Sequence, residues 1–165
     1  MTASGPLRVL YLVHDLNDAA VSRRVGMLRD GGASVEIAGF YRGEAPPEKV
    51  GGTAVWSFGK SFDAQLAKRA IAVGKLVLNA GVLAKRLAAP DVIIARNLEM
   101  LAVAVALAAR FARRPRVIYE CLDIHRLMLG EGAKGRLMRR VERWLLAKSA
   151  LLIVSSPAFL EHYFQ

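Results

Sequence analysis

Four stretches of this sequence place hydrogen-bonding and titratable side chains directly after runs of strand-forming residues. His14, Asp15 and Asn17 follow RVLYLV. Arg96, Asn97 and Glu99 follow DVIIA, Glu120, Asp123 and His125 close and follow RVIYEC, and Ser155 and Ser156 follow ALLIV. Asp123 and His125 are the strongest pair. They stand between a strand and a loop containing Gly130, Gly132 and Gly135, where no regular element demands a carboxylate. An Asp beside a His orients its tautomer and raises its pKa, which suits moving a proton or polarising a hydroxyl. Asp123 and His125 are therefore the candidate catalytic residues. His14, Asp15, Asn17, Asn97, Glu99, Glu120, Ser155 and Ser156 are candidates for lining a binding cleft, because ligands of open α/β sheets gather outside the carboxyl ends of the strands.

Structural roles compete for several of these positions. Asn97 stands where a helix begins and Ser155 or Ser156 precedes Pro157, so each is a candidate N-cap. Asp15 and Asn17 suit the ordering of a turn, and His14 suits a hydrogen-bonded structural role at a strand end. The familiar loops are missing. The first turn, HDLNDAAVSRR, has no G-x-G-x-x-G, and neither a phosphate-binding G-x-x-x-x-G-K-[ST] nor a G-x-S-x-G elbow occurs. One cysteine and three scattered histidines argue against a metal cluster.

The elements that must position these residues alternate along the chain. Residues 8–14 read as a strand buried on both faces, followed by a helix capped by Asn17, carrying Val21, Val25 and Leu28, and closed by Gly31-Gly32. Residues 34–41 form a second strand, 42–52 a loop and 53–58 a short strand. A long helix is expected over Ser61–Leu87. Its first apolar stripe carries Phe62, Leu66, Val73, Val77, Ala80, Ala84 and Leu87, its second Ile71, Leu78 and Val82, and Gly74 and Gly81 are candidate bends. Strand 91–95, helix 98–110, strand 116–121, helix 136–148, strand 150–154 and a helix opening at Pro157 complete the pattern. This alternation predicts an α/β, Rossmann-like three-layer domain, with a mostly parallel sheet and helices on both faces.

Composition sets the outer bounds. At 165 residues, 54% hydrophobic and 23% charged, the chain is one globular domain in size and content. The start lacks an apolar core of signal-peptide length, and the longest apolar stretch, Met100 to Ala109, is too short to span a bilayer. A lone Cys121 excludes an internal disulfide and fits a reducing cytoplasm. The net charge of +10, with bases crowded from Arg110 to Lys148, suits polyanions: nucleic acid, anionic headgroups or phosphorylated small molecules. The end at Gln165, soon after a helix opens, leads us to expect a longer protein.

Three stretches together resemble the N-terminal domain of the retaining GT-B glycosyltransferases grouped as glycosyl transferases group one. They are RVLYLVHD with SRRVGMLRDGGASVEIAGFYR, PDVIIARNLEMLAVAVALAARFARRPRVIYECLDIH, and VERWLLAKSALLIVSSPAFLEHYF. The resemblance implies sugar transfer from a nucleotide donor to a polysaccharide or lipid-linked acceptor, in surface polysaccharide or glycolipid assembly. Residues 1–165 would be the acceptor side, inactive alone. A missing C-terminal domain would hold most of the donor, and no cofactor or metal is implied. The sequence departs from the family where Leu16, Asn17, Asp18 and Ala19 replace paired glycines, and where Leu122 holds the place of a histidine, with His125 as the candidate substitute. The resemblance also suits a cytoplasmic domain resting on the inner face of the membrane. The Ser61–Leu87 helix, with Lys68, Arg69, Lys75, Lys85 and Arg86, is the candidate contact, against the alternative of a core helix with a solvated edge. A basic α/β module binding nucleic acid or another polyanion, without enzymatic activity, stands as the other reading. It would need aromatics interleaved with the bases, whereas Tyr119 and Trp144 lie on predicted core faces.

Overall fold

The computed structural model describes residues 5–61 and 66–164. Strand and helix alternate as β1 (Arg8–Val13), α1 (Ala19–Asp30), β2 (Ser34–Tyr41), β3 (Lys49–Val50), β4 (Thr53–Lys60), α2 (Leu66–Leu78), α3 (Ala80–Arg86), β5 (Val92–Arg96), α4 (Leu98–Ala108), β6 (Arg116–Cys121), α5 (Arg126–Leu129), α6 (Ala133–Leu146), β7 (Leu151–Val154) and α7 (Pro157–His162). The strands form one sheet in the order β3-β4-β2-β1-β5-β6-β7. All pairings are parallel except the short antiparallel edge of β3 on β4.

The central strands are covered twice. Along β1 and β5, Leu10, Leu12, Ile93 and Ala95 face a core shared with α2, α3, α4 and α6, while Tyr11, Val13 and Ile94 face a second core closed by Val21 and Val25 of α1. Alternation of side chains along a strand makes this division automatic. The result is the expected Rossmann-like α/β arrangement. α4 is the keystone of the larger core, with seven of its eleven residues buried. Each fully buried aliphatic side chain there contributes about 1.5–3 kcal/mol.

The structure departs from the sequence reading in five places. Asp18, not Asn17, caps α1: its side chain accepts from Ala20 N at 2.8 Å. The segment expected as one helix over Ser61–Leu87 is two, broken at Asn79, where the side-chain amide donates to Lys75 O at 2.8 Å and the backbone leaves helical dihedrals. Gly74 and Gly81 sit inside the helices, whereas Phe62 lies outside the described residues. The loop at 42–52 contains β3, joined to β4 through Gly51 and Gly52, whose φ values of 55° and 77° suit a two-residue hairpin turn. The helix expected at 136–148 runs instead over Ala133–Leu146 and is preceded by the short α5. Finally, Trp144 is 60% exposed, so its predicted core placement is wrong, whereas Tyr119 is buried. The inward face of α6 is used by Glu142 and Leu145 instead.

Candidate functional site

β1 leads to β2 and β4 on one side of the sheet, and the chain then returns to β5 on the other side of β1. Loops diverge at such a reversal and leave a crevice beyond the carboxyl ends of the strands. A cavity of about 420 Å³ lies there. Among the residues singled out from the sequence, His14, Asn97, Glu99, Asp123 and His125 line it.

The β1–β5 wall is built from charge pairs. Arg96, the last residue of β5, is buried; its Nη2 donates to Asp18 Oδ2 at 2.8 Å, and its Nη1 lies 3.5 Å from the Tyr11 hydroxyl. Asp18 therefore caps α1 with one oxygen and holds Arg96 with the other. Arg69 of α2 donates to Glu99 of α4 at 2.7 Å. Arg42, just after β2, pairs with Asp15 at 3.2 Å. His14 is half-buried, and its Nδ1 is buried with no hydrogen-bond partner among the described residues. Burial, then the positive charges of Arg42 and Arg96, holds its pKa below the ordinary value of 6.5, so the imidazole is neutral at pH 7.

Asn97 joins β5 to α4 in a strained conformation, φ 72° and ψ 172°. A residue with a β-carbon rarely adopts this region, at a penalty of about 1–3 kcal/mol. Surrounding contacts hold it there. Its main-chain N–H donates to Glu120 O at 2.9 Å, and its side-chain oxygen accepts from Met100 N at 3.4 Å, capping α4. The opposite wall is more apolar, with Leu122, Met128 and Met138 beside the exposed Asp123 and His125. Leu122, at the position where the resembled family has a histidine, is thus part of the cavity itself.

The other sequence candidates stand apart from the cavity lining. Asn17 accepts from Arg42 N at 3.0 Å and Gly43 N at 3.4 Å, fastening the β1–α1 turn to the end of β2, while Asp15 accepts from Asn17 N within that turn. Glu120 is fully buried beneath the site, accepting from Tyr11 Oη at 2.5 Å, with the Arg24 guanidinium 2.6 Å from its other oxygen in an ion-pair contact that lacks hydrogen-bond alignment. Ser155 Oγ donates to Leu122 O at 2.9 Å, and Ser156 caps α7 by accepting from Ala158 N. Ser155 thus ties the end of β7 to the residue after β6, whereas Ser156 serves the start of α7. Cys121 is buried, and burial pushes its thiol up to about 11, so it is not a ready nucleophile.

Sequence reasoning missed Asp18, Arg42 and Arg69 as site residues. Nothing local marks Arg42 or Arg69, because one lies in a loop and the other on a basic helix; only folding brings them to the same cavity. Arg96 stands among the polar groups that the sequence places after DVIIA, as a charge ending an otherwise apolar buried strand, though not among the cleft-lining candidates.

Comparison with known proteins agrees with this architecture. Residues 18–165 match the family described as glycosyl transferase 4-like domain. The chain is 47% identical over 159 residues to the succinoglycan biosynthesis protein ExoL of Rhizobium meliloti (strain 1021), covering 96% of this chain and 40% of that protein. The chain thus spans two fifths of the length of this relative. Among solved structures, a UDP-N-acetylglucosamine 2-epimerase superposes with a TM-score of 0.60 at 11% identity, covering 92% of this chain and 42% of the other. A protein of Listeria monocytogenes assigned to the same activity gives 0.58 at 9% identity, with coverages of 96% and 42%. At such identities these two structures speak to the fold alone. The family match across most of the chain carries the assignment: this protein belongs to the glycosyl transferase 4-like domain family.

Proposed function

We propose that this chain is the acceptor-side domain of a glycosyltransferase that moves a sugar from a nucleotide donor onto a growing surface polysaccharide or its lipid-linked precursor. The observation that carries this reading is the polar cavity at the chain reversal, in a domain 47% identical to a succinoglycan biosynthesis protein. On this reading the rest of a longer protein supplies most of the donor site, and the present domain does not catalyse transfer alone. Asp123 and His125 lie where an acceptor hydroxyl could be oriented or relieved of its proton. Calorimetric titration with nucleotide sugars tests the division of labour. We expect no micromolar affinity for this chain alone, and a micromolar dissociation constant would overturn the assignment of donor binding to another domain.

The same reading places the domain against an anionic membrane surface. Ile71, Leu78 and Val82 of α2 and α3 are exposed, Leu78 at 83%, beside Lys75, Lys85 and Arg86. On α6, Leu137, Val141 and Trp144 are exposed at helical spacing among Arg136, Arg140 and Arg143. No helix among the described residues is long and apolar enough to cross a membrane. The alternative polyanion reading gains one observation, the exposed Trp144 with Lys148 4.5 Å above its ring, which puts an aromatic surface among bases. Steeply salt-dependent binding of random single-stranded nucleic acid would favour it.

A further inference from the structure

We propose that Glu120 is a positioning residue: through Tyr11 it sets the plane of the Arg96 guanidinium at the cavity wall, and through its own carbonyl it holds the strained Asn97 amide. The transferase reading above enters only in naming the reaction that this setting serves. Arg96, Asn97 and Asp18 line the cavity, whereas Tyr11 and Glu120 are fully buried behind them.

The hydrogen bonds run in one direction. The single proton of the Tyr11 hydroxyl is committed to Glu120 Oε2 at 2.5 Å, which leaves the lone pairs of that oxygen for Arg96 Nη1, 3.5 Å away. Burial, then the Glu120 charge, raises the Tyr11 pKa far above its ordinary value of 10.0, so the hydroxyl remains a donor at neutral pH. Arg96 Nη2 meanwhile donates to Asp18 Oδ2 at 2.8 Å. Both ends of the guanidinium fork are thus fixed, one from β1 and one from the cap of α1, so its remaining N–H groups keep one orientation at the cavity wall. The Glu120 main-chain oxygen accepts from Asn97 N at 2.9 Å, so the same position of β6 also holds the residue that follows Arg96.

A purely structural role explains this arrangement poorly. Tyr11 otherwise belongs to an apolar cluster with Val9, Val13, Val25 and Ile94, and apolar packing commonly stabilises a fold as well as a buried ion pair does. Arg24 of α1 meets Glu120 Oε1 at 2.6 Å without hydrogen-bond alignment, and its own side chain is 31% exposed. It balances the carboxylate charge without directing it, and can turn to solvent if that carboxylate is removed. The directed contact is the one that leads to Arg96.

Arginine side-chain NMR on the chain tests the inference. The Nη protons of a guanidinium give separate signals when its rotation is hindered and merge when it turns freely, and Arg96→Lys identifies the signals that belong to Arg96. They should be separate in the unaltered chain and merge in Tyr11→Phe and in Glu120→Leu. Glu120→Gln keeps an acceptor for the Tyr11 hydroxyl and should keep them separate. Tyr11→Phe leaves the ring in its core, so its urea midpoint should fall by less than about 1 M. In a longer protein, Tyr11→Phe should lower kcat about tenfold and leave KM within about twofold, because orientation rather than binding is lost. Arg96 signals already merged in the unaltered chain overturn the proposal, as do separate signals in a folded Tyr11→Phe chain or merged ones in Glu120→Gln. If Glu120→Leu fails to fold, Tyr11→Phe decides alone. Transfer at an unchanged rate by Tyr11→Phe sinks this inference and leaves the transferase reading standing. A longer protein that transfers no sugar, with Arg96 held as described, sinks the transferase reading instead.

Discussion

Helices α4 and α6 pack into the same core on the same face of the sheet, yet they use their apolar residues in opposite ways. α4 carries no basic residue and buries seven of its eleven side chains, so its composition alone tells its place. α6 turns Glu142 inward at 3% exposure and leaves Leu137, Val141 and Trp144 outside. The inversion holds because Glu142 accepts from Tyr119 Oη at 2.7 Å and Tyr163 Oη at 2.6 Å, replacing lost hydration with two hydrogen bonds. A helix that is apolar all round has one possible environment. An amphipathic helix rich in arginine has two apolar-compatible faces, and its partners decide which is covered.

Stability measurements can break this contrast at its strongest point. Leu107 of α4 is fully buried, so Leu107→Ala should lose about 2–5 kcal/mol in denaturant unfolding. A loss below about 1 kcal/mol would mean that α4 is not the keystone it looks. Removing the Glu142 carboxylate is next in size. Glu142→Ala should destabilise by about 1–3 kcal/mol through two tyrosine hydroxyls left without their acceptor.

The Glu142 pair also has a pH signature. Burial raises its pKa above the ordinary carboxylate value despite the two tyrosine bonds, which lower it. The stabilisation from this carboxyl is therefore full below the unfolded pKa and is lost as pH rises through the raised folded one. Stability relative to Glu142→Gln should fall across that window, and a difference that grows with pH would contradict a buried, desolvated carboxyl.

Two smaller effects separate strain from surface. α4 begins at Asn97, held at positive φ, whereas α6 begins at Gly132 with ordinary dihedrals. Asn97→Gly should relieve strain while giving up a cap that glycine partly replaces, for a net change within about 1 kcal/mol. A longer protein carrying it should nonetheless lose transfer activity if the strained amide serves the cavity. Trp144→Ala should change stability least, by less than about 0.5 kcal/mol, while cutting cosedimentation with phosphatidylglycerol vesicles several-fold. Unchanged vesicle binding would remove α6 from the surface proposed to face a membrane.

The fold was legible because its signals are local. RVLYLV, DVIIA and RVIYEC are apolar enough to be strands covered on both faces, and the helices between them leave little choice but parallel pairing. The two-residue β3 and the break at Asn79 escaped, since each depends on a few turn residues rather than on periodicity. The site was legible in part. Polar residues after β1, β5 and β6 were marked by where their strands end, and five of the ten candidates line the cavity. Asp15, Asn17, Ser155 and Ser156 have the same types in similar positions, but hydrogen bonds to neighbouring backbone occupy them.

By itself the order of residues determined the alternation of strands and helices, the double burial of the sheet centre and the edge at which polar groups collect. Those properties follow from side-chain periodicity and solvation, which act over a few residues. Tertiary structure decided which charges meet: Arg96 with Asp18 across 78 positions, Arg69 with Glu99 across 30, and Tyr11 with Glu120 across 109. It also decided that Trp144 faces outward and Glu142 inward. Coulombic and hydrogen-bond complementarity acts through space over a few ångströms, so no spacing along the chain could show which arginine each carboxylate would find.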